Sequence, residues 1–319
     1  MERLLKNHFI QFLISGVLLL GVLFIIFTPS IGLFKKLSNF SVHIMMGYLL
    51  IGMFFFLYDQ KRLVIASLIG CGVLCLYLKS ASNQNMRLAI ENAEPKLSIA
   101  LVDLSSADDG YQRTIEHIRG VEADVISFQE LTPNWVDILR DSLGSQYPFQ
   151  HMMVRLDPFG MGVFSKFPFQ KIDTFYYKQI PNLLTSVDIK HSTPFHLIHS
   201  ISEAPVNDKA YAEIRSHFQE ITSYSASLFG EIITVGNYHL PSWASEMLEF
   251  KFNARLKDSR RDGLPRSPGG AVSFFGVPVD HIFFSEQLEC TEFRVIANDD
   301  ASHLGIVGTY QLRFNQIAQ

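Results

Sequence analysis

Asp124-Val-Ile-Ser-Phe-Gln-Glu130 is the stretch on which the reading of this chain turns. A short apolar run of strand length ends in a Gln-Glu pair, so a carboxylate falls where a strand leaves its sheet. Three later phrases frame it: Phe159-Gly-Met-Gly-Val-Phe-Ser-Lys-Phe-Pro168, Ile233-Thr-Val-Gly-Asn-Tyr-His239 and Val279-Asp-His-Ile-Phe-Phe-Ser285, with His303 after them. Two of these again set polar, chemistry-bearing residues against an apolar strand.

Working outward, short apolar runs of strand length recur at 97–102, 124–128, 162–164, 185–189, 195–198, 232–235, 281–284 and 292–296. Helical patterns fit 110–120, 134–143, 209–228 and 244–256. Strands mixed with helices imply a layered α/β or α+β domain over 96–319. Residues 81–95 are polar, with some helical tendency, and read as a linker.

The first 80 residues differ in kind. Of 319 residues 48% are hydrophobic, high for a soluble chain, and the excess is concentrated here. Apolar runs at about 9–27, 42–58 and 63–79 predict three transmembrane helices, since backbone in lipid must satisfy its own hydrogen bonds. Asp59-Gln-Lys-Arg62 reads as the tight turn between the last two. With the N-terminus inside, Arg3, Lys6, Lys61 and Arg62 share one side, and the domain would lie on the non-cytoplasmic side. Residues 80–319 are net acidic by nine, which argues against affinity built on phosphate neutralisation. Three cysteines define no disulfide framework.

Taken in order, the four phrases resemble the endonuclease/exonuclease/phosphatase superfamily, in particular its bacterial membrane-anchored members. The resemblance spans about 96–313. It implies a four-layer sandwich of two mixed β-sheets flanked by helices. It also implies phosphoester cleavage assisted by Mg²⁺ or Mn²⁺. Glu130 matches the family's metal-binding glutamate. Asp280 matches the aspartate that orients a catalytic histidine, and that histidine would be His303; a carboxylate behind an imidazole fixes its tautomer and supports its cation.

Other positions depart from the pattern. The family's Ser-Asp-His becomes Ala301-Ser302-His303, with Asp299 and Asp300 just upstream but out of register. Its Gly-Asp-x-Asn becomes Gly236-Asn237-Tyr238-His239, so an amide stands where the water-activating carboxylate is expected. His239 is a candidate donor or base. The first strand usually ends in Asn; here it ends in Asp103, a candidate oxygen ligand beside Glu130. A family His position in a middle strand is Ile201, with His199 read as a surface histidine. Trp243 reads as helix-start packing, Ser242 as a helix cap, and Arg260, Arg261 and Arg266 as residues near the mouth of the site. The resemblance therefore implies a membrane-anchored relative, impaired or inactive in catalysis, that binds a ligand or partner. The alternative is a divergent metal-dependent phosphodiesterase with a rearranged site. Its surroundings would be the lipid bilayer of a bacterial inner membrane, and its ligand a phosphoester of lipid or nucleic acid.

Overall fold

The computed structural model of the chain describes residues 7–83, 85, 87–107, 110–189, 194–261, 276–297 and 303–313. The apolar N-terminal region forms α1 (His8–Ile26), α2 (Gly32–Asn39), α3 (Ser41–Leu57) and α4 (Lys61–Ala81). α1 and α4 are long and apolar enough to cross a bilayer. The expected middle span is altered: α3 has only 17 residues and is bent 68° from α2. At about 1.5 Å per residue α3 reaches ~26 Å, short of a bilayer core. Among the described residues two helices are therefore long and apolar enough to cross a membrane, or three if the bent pair counts as one. α2 is not among the helices read from the sequence. In three dimensions Gly32, Lys35 and Ser38, at a spacing of three, form one buried face, while Leu33 and Leu37 are exposed.

Val22, Ile25, Tyr48 and Leu74 hold these helices together. The Gln11 amide donates to the Gln60 side chain at 2.7 Å, placing the α3–α4 turn beside the start of α1. Past α4 the described residues up to 95 are not helical. They lie along the domain, with Asn83 donating to the Asp258 carbonyl and Ala89 N–H to that of Cys290.

The domain holds β1 (Lys96–Asp103), α5 (Tyr111–Val121), β2 (Val125–Gln129), α6 (Pro133–Leu143), β3 (Phe149–Met153), β4 (Met161–Ser165), β5 (Phe169–Tyr177), β6 (Ile180–Val187), β7 (Phe195–Ser200), α7 (Asp208–Ala226), β8 (Glu231–Asn237), α8 (Ser245–Asn253), β9 (Leu256–Asp258), β10 (Asp280–Ser285), β11 (Leu288–Ala297) and β12 (His303–Leu312). They form two mixed six-stranded sheets, in the orders β11-β12-β1-β2-β4-β3 and β5-β6-β7-β8-β10-β9. Parallel neighbours are β1–β2 and β7–β8. β3, β5, β9 and β12 escaped the sequence reading. β3 and β5 are edge strands with few buried positions, so their hydrophobic alternation is weak.

The two-residue period of the strands sorts side chains between three cores. Leu97, Ile99 and Leu101 from β1 meet Leu183, Leu197, Val235 and Ile282 of the other sheet in the central core. Ala100, Val102, Ile126 and Phe128 face outward onto α5 and α6. Ile198 and Phe283 face outward onto α7 and α8. Burying this apolar surface stabilises the fold by roughly 25 cal/mol per Å². The same period aims the ends of several strands into the gap between the sheets.

Candidate functional site

Continuing the period that buries Leu97, Ile99 and Leu101 brings Asp103 to the gap. Val125 and Ser127 lead likewise to Gln129, and Val235 to Asn237. On β10, stepping back from Ile282 gives Asp280. All are buried or nearly so, and their strands finish, or for β10 begin, at one edge of the sandwich. The register confirms it: Asp103 lies beside Gln129 in one sheet and Asp280 opposite Asn237 in the other.

Gln129 sews the two sheets together. Its Oε1 accepts from the Asn237 N–H at 2.9 Å, and its Nε2 donates to the Ser200 carbonyl at 2.6 Å. Close approach is built in at Gly236, where a Cβ would sit 1.8 Å from the Ser200 carbonyl oxygen. Sequence reading passed over Gln129 in favour of its neighbour. The period of β2 was the signal that identified it.

Two further contacts cross the seam. Asn237 Nδ2 lies 3.4 Å from Asp103 Oδ2, a long contact by hydrogen-bond standards. His303 Nε2 meets Asp280 Oδ2 at 2.5 Å, with Asp280 buried and His303 about a third exposed. The second oxygen of Asp280 has no hydrogen-bond partner among the described residues. The expected carboxylate–imidazole pair is thus formed, and its imidazole is accessible.

Asp103 Oδ1 accepts from the N–H and hydroxyl of Ser105, at 2.9 and 2.7 Å. Burial, then the charge of Asp280, push its carboxyl above the ordinary range, against the Ser105 and Asn237 hydrogen bonds. Glu130 is raised too, by burial first and then by the charge of Asp103. Both acids are thus raised first by burial and then by a neighbouring carboxylate, Asp280 for Asp103 and Asp103 for Glu130. Hard oxygen donors of this kind fit Mg²⁺ or Mn²⁺. The described residues contain no group of three or more His, Cys, Asp or Glu arranged to hold a metal.

Glu130 and His239 both adopt left-handed backbone, with φ of 55° and 53°. That conformation costs a non-glycine residue about 1–2 kcal/mol, and each falls just beyond a strand end at the site. The Asn237 Oδ1 accepts the His239 N–H at 3.0 Å. Burial holds the His239 imidazole below its usual pKa, opposed by Ser202 and by the charges of Asp103 and Asp280; its Nδ1 has no hydrogen-bond partner among the described residues.

The structure corrects three of the remaining sequence expectations. His199 is fully buried, not on the surface: it bridges the sheets between Ser127 Oγ and Thr185 Oγ1, both at 3.0 Å. Burial lowers its pKa to about 3. Ser242 does not cap α8, whose N-cap is Ala244 without a side-chain bond; its hydroxyl bonds Asp258 and accepts from Lys251. Arg260 is buried with its guanidinium over the Phe293 ring, and Arg261 donates to the Asp258 carbonyl, so neither is a free cation at the mouth. Arg266, Asp299, Asp300 and Ser302 lie outside the described residues.

A cavity of about 300 Å³ lies at the same sandwich edge, lined by Arg155, Phe159, Tyr177, Glu203, Glu213 and His217 among others. His217 is buried, its Nε2–H donates to Asn182 Oδ1 at 2.8 Å, and its Nδ1 has no hydrogen-bond partner among the described residues.

Residues 99–302 match the model of the Endonuclease/Exonuclease/phosphatase family. That is more than half of the chain, and the chain belongs to this family. Its members generally use divalent metals such as Mg²⁺ and act on phosphoesters. Among solved structures, an endonuclease/exonuclease/phosphatase from Beutenbergia cavernae is 16% identical, with TM-score 0.56, over 68% of this chain and 72% of that one. TDP2 of D. rerio, complexed with a single-strand DNA product, is 16% identical with TM-score 0.56, over 68% and 100%. Sphingomyelinase C from Streptomyces griseocarneus is 12% identical with TM-score 0.51, over 67% and 99%. These likenesses establish the fold. No curated protein sequence matches the chain.

Proposed function

We propose that this chain is a membrane-anchored member of the family, of the bacterial inner-membrane type, that binds a divalent cation and a phosphoester but is impaired in hydrolysis. One observation carries the reading. The cross-sheet cluster is assembled, yet Asn237 stands where the family places its water-activating carboxylate. An amide cannot take a proton from water, and loss of a positioned base costs ~10²–10⁴-fold in rate. Glu130 and Asp103 would hold the Mg²⁺ or Mn²⁺, which when bound neutralises phosphate charge and polarises the ester. His303, oriented by Asp280, faces the cleft as donor to a phosphate oxygen. His239 and Asn237 supply further polar contacts. The cavity beside the site gives room for the non-phosphate part of the ligand.

The spans of α1, the bent α2–α3 pair and α4 would place the N-terminus and the domain on opposite sides, with the domain non-cytoplasmic.

A second reading, a divergent phosphodiesterase with a rearranged site, is favoured by the contact between Asp103 and Asn237. The family's amide on the first strand and acid on the eighth have exchanged places across one contact, so a carboxylate is still present, on the other wall. The test is Mn²⁺-dependent hydrolysis of bis(p-nitrophenyl) phosphate by the full chain, its Asn237→Asp variant and the Asp103→Asn/Asn237→Asp double variant. The impaired reading expects activity to appear or rise at least 100-fold in the double variant. Wild-type activity equal to the double variant's, and lost in Asp103→Asn, would establish the second reading instead.

A further inference from the structure

The loops that carry the site also carry the contacts to the membrane region. Trp243 follows His239 by four residues, so at ~3.3–3.6 Å per residue the two lie within about 14 Å. The Trp243 indole N–H donates to the carbonyls of Ser38 and Asn39 on α2, both at 3.1 Å. Trp243 also packs with Val42, Leu78 and Ala81. On the other loop, Ser202 is tied to the site, its N–H to the Asn237 carbonyl at 3.1 Å and its hydroxyl to that of Tyr238 at 2.6 Å. Four residues later the Val206 carbonyl accepts from Lys36 at 2.9 Å, and Asp208 accepts the Gly32 N–H. A buried ion pair locks the arrangement: Lys35 of α2 meets Glu246 of α8 and sits 4.8 Å over the Tyr211 ring.

α2 is two-sided. Gly32, Lys35 and Ser38 face the domain, whereas Leu33 and Leu37 are exposed between two helices of apolar character. An amphipathic helix flanked by apolar spans lies in the plane of the bilayer interface. The strand-end loops bordering the cleft therefore rest on a helix that itself lies at the bilayer surface. By contrast β5 and β6 meet, at Phe169 and Val187, at the edge farthest from Ser200 and Asn237.

From this we infer, granting the phosphoester reading above, that the cleft is held against the bilayer and takes the phosphodiester of a lipid headgroup in that same membrane. Soluble polyanions are disfavoured by the acidic balance of residues 80–319. The lipid is delivered by lateral diffusion to a site whose height above the membrane is fixed by the Lys35–Glu246 lock.

The test uses the full chain in nanodiscs, with Cys71, Cys75 and Cys290 replaced by Ala and one fluorophore at Glu203→Cys, on the cleft edge, or at Gln170→Cys, on the far edge. Headgroup-nitroxide phospholipid should quench the Glu203 label at least twofold more than the Gln170 label. Lys35→Met should reduce that difference, and Lys35→Arg should retain it. In parallel, phosphatidylglycerol with a diazirine headgroup, in Mn²⁺, should crosslink to loops 201–208 and 238–244, and a millimolar excess of free glycerophosphoglycerol should reduce labelling less than twofold. Equal or reversed quenching overturns the inference and leaves the phosphoester reading intact. Full competition by the free diester overturns it in favour of a soluble ligand. Correct quenching with no crosslinking, or crosslinking unchanged in Glu130→Ala, sinks the phosphoester reading itself and the lipid assignment with it.

Discussion

The two walls of the cleft are built from similar strands but are anchored differently. The first-sheet wall brings Asp103, Gln129, Glu130 and His303, and its strands pack outward on α5 and α6. The second-sheet wall brings Asn237, His239 and Asp280, and its loops are bound to α2. Four of the bonds at the site cross between walls: Asp103 with Asn237, Gln129 with Asn237 and with Ser200, and His303 with Asp280. A change on one wall is therefore felt as a change of partner on the other. The exchange of acid and amide between 103 and 237 follows that logic. It keeps one acid–amide contact in the seam while placing the negative charge on the wall opposite the one bound to α2.

Reversing the exchange is the severest challenge to this comparison. The Asp103→Asn/Asn237→Asp variant should gain ~10²–10⁴-fold in phosphodiester hydrolysis, measured as initial rate in Mn²⁺. Asn237→Asp alone, which puts two carboxylates in contact, should gain less. Equal gains in both would mean that the walls act independently.

The anchoring of the second wall has its own test. Lys35→Met leaves Glu246 buried with Arg215, at 3.6 Å, as its remaining cation partner among the described residues. Breaking a buried pair in this way costs about 3–5 kcal/mol, with Arg215 reducing the loss. Denaturation in detergent micelles should show the domain destabilised by that order, whereas Lys36→Met, at an exposed contact, should cost under about 1 kcal/mol. Similar small losses from both would remove the lock from the account.

Much of this was legible in the chain because both strand period and family phrase pointed to the same residues. Asp103, Glu130, Asn237, Asp280 and His303 stand at strand ends, and alternation from the apolar core determines which way several of them aim. His199 was misjudged because a histidine between Ile198 and Ser200 carries no sign of burial. Only the fold reveals that Ser127 and Thr185 arrive from two strands to bond its ring. α2 was missed for a related reason. Its lysine is paired with an acid 211 positions away, and no local pattern announces such a partner.

Buried histidines give the mildest effect, and one that acts on the seam as a whole. His199, His217 and His281 are held neutral by burial, with pKa values of about 3, 4 and 4, and His151 adds repulsion at His199. Each takes up a proton in the unfolded chain near pH 6.5 but not in the fold. Their contribution to stability is thus full above that pH and lost as pH falls toward 4, at up to about 1.4 kcal/mol per unit for each. Denaturant midpoints between pH 7 and 5 should fall accordingly, and His199→Gln should flatten the slope. An unchanged slope would place His199 outside the titrating set.

The central claim is that carboxylates from the first wall form a cation site in a seam completed by the second. Mn²⁺ titration of the full chain in micelles, followed by electron paramagnetic resonance of the free ion, addresses it directly. The account predicts one site of submillimolar affinity that weakens at least tenfold in Glu130→Ala and in Asp103→Asn. No saturable binding at millimolar Mn²⁺, or binding indifferent to both substitutions, would contradict it.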